Sequence, residues 1–220
     1  MHILLLGSSG RTGKLLLEKA LSRGYYVNAL VRNKAKVHIQ HPRLTLFEGT
    51  PLDKVALSSS MYNCTAILSA LNISRTNDVP WAPLRTPRDF LSTSMSNIIE
   101  VAPCFDIRRV IFTFAWGVAD TRSEIPGWFR WFIEHSNIRY PYDDHARQEA
   151  LARESGLDWT AVRAVGLVNS TRKKEIIVSF RNQPTPRLVV SRANLADFIL
   201  DVLEKDLYVK EAPVVSQRGG

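Results

Sequence analysis

The chain is expected to form one α/β domain built on a doubly wound, mostly parallel sheet with helices on both faces. Three observations support this. An apolar strand runs straight into a glycine-rich turn and then a helix, and strand-like and helix-like segments alternate along most of the remaining chain. The third is bulk: 220 residues, 45% hydrophobic and 23% charged, supply apolar surface for one sizeable core. The same figures exclude a disordered tail, a disulfide miniprotein and a coiled coil.

Residues 3–6 read as a buried strand, followed by Gly7-Ser8-Ser9-Gly10-Arg11-Thr12-Gly13 and by a helical stripe of Leu15, Leu16, Leu17, Ala20 and Leu21 that Gly24 closes. Tyr26–Val31 is a second strand, completing a βαβ unit whose right-handed crossover lays both strands parallel. The alternation continues with strand 44–47, helix 52–60, strand Ala66–Ser69, helix 89–102 and the β-branched, aromatic strand 110–114. This is the Rossmann-type pattern. Two stretches interrupt it. Residues 72–87 contain Pro80, Pro83 and Pro87 around Trp81 and read as a long binding or lid loop. Residues 125–132 place Trp128, Trp131 and Phe132 on one helical face, either docked on the core or a second copy or forming a pocket wall. Beyond them come helix 142–155 with its stop at Gly156, strand 158–163 and two short edge strands, 176–180 and 187–190. Ser191 then caps a final helix whose Leu195, Phe198, Ile199, Val202 and Leu203 face inward. No linker or repeat divides the chain. A single domain over residues 1–220 is expected, with a small C-terminal elaboration and a pocket built from loops 72–87, 115–145 and 164–190.

Lysine and arginine outnumber the acids 29 to 21, a net charge of +8 that suits a nucleic acid or an anionic small molecule. The best-placed cations, Arg11, Arg32, Lys34 and Lys36, gather around the glycine turn, while the others are scattered without a basic helix face. A small-molecule partner and no nucleic acid are therefore expected. Cys64 and Cys104 read as two reduced, buried thiols. No apolar run reaches the roughly 18 residues of a membrane span, and the apolar opening stops at Gly7, so no membrane association and a cytoplasmic location are expected. The sequence does not choose between a monomer and a homodimer.

Gly7, Gly10 and Gly13 let backbone amides approach a diphosphate and let the first helix pack close to its strand; the helix N-terminus offers unpaired N–H groups and partial positive charge. The spacing is G-x-x-G-x-x-G, but its position between a strand and a helix meets the context a dinucleotide site requires. An acid at the end of the second strand would accept hydrogen bonds from a ribose 2′-hydroxyl and repel a 2′-phosphate. Here that end reads Val31-Arg32-Asn33-Lys34-Ala35-Lys36, so NADPH is favoured over NADH.

Residues 7–13, the end Leu30-Val31-Arg32-Asn33, the run Tyr142-Asp143-Asp144-His145 leading to Arg153-Glu154-Ser155-Gly156-Leu157, and residues 191–198 resemble the atypical short-chain dehydrogenase/reductases, more narrowly the NAD(P)H-binding, NmrA-like group and its biliverdin-reductase-like branch. The similarity spans nearly the whole chain. It implies a cofactor across Gly7, Ser9, Gly10, Arg11, Thr12 and Gly13. It places Arg32 and Lys36 at the 2′-phosphate, with Asn33 between them also a cofactor contact, Thr50 and Pro51 near the adenine, and Ser69, Ala70, Leu71 and Asn72 along the nicotinamide ribose. Phe114 and Ala115 then lie beside the nicotinamide. Two departures stand out: Gly49-Thr50 replaces the usual Gly-Asp, and Ala115 replaces a hydroxyl residue.

Reduction needs a proton as well as a hydride. The Tyr-x-x-x-Lys device of ordinary short-chain reductases is missing, since Ala146 stands four residues after Tyr142. His145, which the resemblance puts at the pocket mouth, is the best remaining acid, with Tyr142 beside it; a capping or turn role suits His145 equally. Asp143 and Asp144 fit dipole-complementing charges at a helix start. The expected function is NADPH-dependent reduction of a planar or polycyclic small molecule, a secondary-metabolite intermediate among the candidates, in a pocket walled by Trp81, Trp116, Trp128 and Trp131. Non-redox isomerisation, epimerisation or dehydration on the same fold, or NADP sensing, are the alternatives. No metal site is expected.

Overall fold

The computed structural model describes residues 1–218. Its strands are β1 (His2–Leu6), β2 (Tyr26–Val31), β3 (Leu44–Glu48), β4 (Ala66–Ser69), β5 (Arg109–Ala115), β6 (Asp158–Ala164), β7 (Gly166–Val168), β8 (Ile176–Ser179), β9 (Val189–Ser191) and β10 (Val214–Gln217). Eight of them form one sheet in the order β3-β2-β1-β4-β5-β6-β10-β8. All its pairings are parallel except β10 with β8. Strands β7 and β9 make a separate parallel ladder. The α/β, doubly wound class expected from the sequence is therefore the observed one.

Helices α1 (Arg11–Ser22), α6 (Arg192–Glu204) and α4 (Gly127–Glu134) cover one face; α2 (Lys54–Ser60), α3 (Phe90–Val101) and α5 (Arg139–Glu154) cover the other. Successive β1 side chains enter opposite cores, Ile3 and Leu5 with α1, Leu4 and Leu6 with α2 and α3. Both faces are buried, so the strand reads as an unbroken apolar run. Helix starts follow local chemistry. Asp53 Oδ1 accepts from the amides of Val55 (2.9 Å) and Ala56 (3.3 Å), which starts α2 at Lys54 rather than at 52. Ser191 Oγ accepts from Asn194 N at 3.1 Å and caps α6 as anticipated. Helix α5 begins three residues before the expected Tyr142, because Pro141 in the first turn needs no N–H partner.

Several expectations are corrected. Strand β10 is a four-residue Val-Val-Ser-Gln segment inserted between β6 and β8, too short to register as a pattern, and β7 is shorter still. The α4 aromatic stripe is not seated on the core of its own chain as a whole: Trp128 is 70% and Trp131 60% exposed, Phe132 is half-buried against Trp81 and Phe129, and Ile133 and Phe129 meet the core. Cys104 is exposed; only Cys64 is buried, where burial pushes its thiol up to about 12 against the opposing hydrogen bond from Asn28. Among the described residues no helix is long and apolar enough to cross a membrane, and no His, Cys, Asp and Glu cluster could hold a metal.

Candidate functional site

The chain leaves β1 toward β2 and β3 on one side and returns to β4 on the other, so the sheet has its topological switch point between β1 and β4. Crevices at such points are the ligand sites of open α/β sheets. Here a cleft of about 420 Å³ opens over them. Of the anticipated residues, Gly7, Ser9, Gly10, Arg11, Thr12, Arg32, Thr50, Pro51, Ala70, Leu71 and Asn72 line it together.

The glycine turn is tight enough to require its glycines. Gly7 has φ +82°, and a Cβ there would lie 2.7 Å from the Ala70 carbonyl oxygen; a Cβ on Gly13 would lie 2.0 Å from the Gly7 oxygen. Strand β1, strand β4 and helix α1 thus meet backbone to backbone. Gly10 begins α1 without any side-chain cap, leaving the first-turn amides available, and the buried Ser8 Oγ has no hydrogen-bond partner. A diphosphate suits such a terminus. At the other end of the cleft Arg32 is exposed at the tip of β2, with no ion-pair partner among the described residues. Arg11 instead bridges Asp78 through two nitrogen–oxygen contacts of 3.1 and 3.3 Å.

The sequence model of the NAD(P)H-binding family matches residues 7–206. The chain belongs to the NAD(P)H-binding family. An oxidoreductase of Pestalotiopsis microspora is 28% identical over 168 residues, which span 70% of this chain and 61% of that protein. A wide-type short-chain dehydrogenase/reductase of Veillonella parvula, solved with NADP, is 21% identical with a TM-score of 0.81, covering 99% of this chain and 95% of its own. An anaerobillin reductase of Escherichia coli is 17% identical with a TM-score of 0.80, covering 100% and 98%. At these identities the solved structures share the fold.

Other anticipated residues of this NAD(P)H-binding protein stand outside the cleft. Gly13 is buried against the Gly7 backbone. The Asn33 side chain accepts from Ala35 N at 2.8 Å and caps the single turn Lys34–Lys36. That turn carries Lys36 to a small recess with Ser8, Ser9 and Lys14, which adjoins the cleft at Ser9. Ser69 is buried, its carbonyl accepting from Thr113 Oγ1 at 3.4 Å; Phe114 is buried and Ala115 half-buried at the end of β5. Conversely, Arg75, Asp78, Thr86, Phe90, Leu167 and Arg192 line the cleft and were not anticipated singly. The first three lie in the 72–87 loop; Leu167 and Arg192 arrive through the β7–β9 ladder, whose strand β9 overlaps the expected 187–190 strand and whose three-residue β7 lies in the expected 164–190 pocket segment.

The anticipated acid and the aromatic walls are corrected as well. His145 is not at the pocket mouth. It is 3% exposed, its ring edge-on to Phe114 at 4.7 Å and its Nδ1 3.3 Å from Gln148 Oε1, and burial pushes its pKa down to about 4 despite that hydrogen bond. Tyr142 packs half-buried against the core and off the cleft, its phenol pushed up to about 12 by burial, with only a small opposing effect from Arg122. None of the four tryptophans lines the cleft: Trp116 is buried, Trp81 donates Nε1–H to the His135 carbonyl at 2.9 Å, and Trp128 and Trp131 face solvent. Because α5 starts at Arg139, Asp144 sits in its second turn and does not complement that helix's own start. It caps α3 instead: its carboxylate accepts from Leu91 N (2.6 Å), Ser92 N (3.4 Å) and Ser92 Oγ (2.5 Å), which fixes Phe90 at the cleft wall.

Proposed function

We propose that this protein is an NADPH-dependent reductase of a planar or polycyclic small molecule. The observation that carries the reading is Arg32, a free guanidinium at the tip of β2 on the rim of a cleft whose other end is an uncapped helix N-terminus. The uncapped amides of α1 would hold the diphosphate, Arg32 the 2′-phosphate, and the backbone from Ala70 to Asn72 the nicotinamide ribose. When bound, the cofactor supplies a hydride.

The chain's own contribution is mainly placement. Ile73, Pro141 and Leu167 give the cleft apolar walls suited to a flat substrate. Neither buried His145 nor Tyr142 reaches the cleft, so orientation of the reacting faces carries the rate and the proton comes from solvent.

The test is to mix the protein with NADPH and flavin, biliverdin, quinone or enone acceptors and follow oxidation of the nicotinamide by absorbance. Turnover supports the reading. Product without cofactor oxidation would replace it with non-redox chemistry, and tight binding with neither would make the protein a sensor. Arg32→Glu should weaken NADPH at least about 10- to 100-fold, the value of a charge-assisted hydrogen bond, and NADH by less than about threefold. Equal losses would sink the 2′-phosphate assignment.

A further inference from the structure

The segment after β4 folds back on itself. Arg85 N donates to the Ser74 carbonyl at 2.8 Å, Ser74 N to Thr86 Oγ1 at 3.0 Å and Thr76 N to the Pro83 carbonyl at 2.9 Å, with an antiparallel bridge between Arg75 and Leu84. Its base is seated: Ile73 is buried with Phe90 and Leu91, and Leu84 packs on that cluster. The backbone at Arg85 is therefore fixed even though its side chain is exposed.

Arg85 lines a shallow, open hollow of about 370 Å³ beside the cofactor cleft. Arg32, Gly49, Thr50, Thr86 and Phe90 line both spaces. Two arginines therefore line this hollow, one from the tip of β2 and one from the base of the hairpin, and neither side chain has a hydrogen-bond or ion-pair partner among the described residues. Glu48 is its one carboxylate, and Leu52 and Phe90 supply an apolar floor. A dianion seated between two such cations would be attracted from both sides. A phosphate monoester beside a flat apolar ring matches both features.

We propose that Arg85 is a second cofactor-specificity residue, closing with Arg32 on the 2′-phosphate of NADPH. Lys36, the other candidate the sequence suggested, lines a separate recess that meets the cleft at Ser9, and Arg85 would act from the hairpin, on the opposite side of Arg32. The inference rests on the NADPH reading above, and the experiment separates the two.

Calorimetric titration with 2′,5′-ADP, which carries the phosphate, and with 5′-AMP, which lacks it, reads binding without any turnover. Wild-type protein should prefer 2′,5′-ADP. Arg85→Ala should weaken 2′,5′-ADP about 10- to 100-fold, flatten the salt dependence of that binding, and leave 5′-AMP within about threefold. Arg85→Glu should lose more than Arg85→Ala. The melting temperature should hold in both variants because the side chain contacts nothing that stabilises the fold. If wild type binds the two probes equally, the NADPH reading itself fails and Arg85 falls with it. If wild type discriminates, and Arg32→Ala abolishes the preference while Arg85→Ala keeps it, only the Arg85 proposal is overturned. Equal losses of both probes in Arg85→Ala would also overturn it.

Discussion

Along the carboxyl rim of the sheet the two halves are finished in opposite ways. Over β1, β2 and β3 the rim is open, with bare backbone at Gly7, an uncapped helix start and Arg32 without a carboxylate partner. Over β5 and β6 it is filled. Arg163, 2% exposed at the end of β6, donates Nη2–H to Glu149 Oε1 (2.7 Å) and Oε2 (2.9 Å) on α5 and to Asp120 in the loop after β5. Phe114, beside it on β5, and His145, packed edge-on to Phe114, are buried at the same end. The contrast shows where charge is available to a ligand. An arginine already bonded to a buried carboxylate cannot turn to an incoming anion without stranding that carboxylate, so the filled half is scaffold and only the open half has charge to offer a ligand.

The strongest way to break this contrast is to unbalance the filled half. Glu149 is 1% exposed and also accepts from Arg153 Nη2 at 2.6 Å. Glu149→Leu leaves the Arg163 guanidinium buried with only the exposed Asp120 as partner, and should cost about 3–5 kcal/mol in a urea unfolding curve. Affinity of the folded fraction for 2′,5′-ADP should stay within about threefold. A variant of unchanged stability that loses the ligand would abolish the division of labour between the halves.

His145 sharpens the same point through pH. An exposed or unfolded histidine titrates near about 6.5, whereas burial holds this one neutral down to about 4, the Gln148 hydrogen bond opposing only partly. Above the unfolded value both states are neutral and His145 contributes nothing. As pH falls through that window the unfolded chain takes up a proton that the folded chain refuses. Stability then drops by about 1.4 kcal/mol per pH unit, up to roughly 3 kcal/mol in all, and levels off below the folded pKa. His145→Gln should flatten that slope in denaturation curves measured across the window. It should leave the pH profile of turnover near neutrality unmoved, and a shifted profile would restore His145 as a proton donor.

These residues also show why one half was legible and the other was not. The glycine turn announces itself because its constraint is local: a positive φ and close backbone approach demand glycine at fixed positions between a strand and a helix. Arg32 follows from the strand end. In α5, by contrast, Pro141, Asp144, His145, Gln148, Glu149 and Ala152 are all buried, a helical stripe with the usual three-and-four spacing. Hydrophobic periodicity misses it because most of its members are polar, satisfied by partners distant in sequence such as the α3 amides and Arg163. His145 could consequently be expected at the pocket mouth. Arg85 looked like a scattered surface charge for a similar reason, since only the fold of the 72–87 segment brings it to the same recess as Arg32.

The smallest effect tests the border of the open half. Arg11 in the glycine turn and Asp78 in the hairpin pair across the cleft mouth with side chains 62% and 84% exposed. Arg192 stands near enough that Arg11's charge, after burial, helps to lower its pKa, with Asp78 opposing. An ion pair this exposed contributes about 0–1 kcal/mol, so Asp78→Asn should leave the melting temperature essentially unchanged. Removing that carboxylate frees Arg11 and takes a negative charge from the mouth, so 2′,5′-ADP should bind about two- to fivefold tighter at low salt, with the gain fading at high salt as screening sets in. Weaker binding would mean that the bridge holds the hairpin, and with it Arg85, in position. The open half would then depend on one structural ion pair of its own.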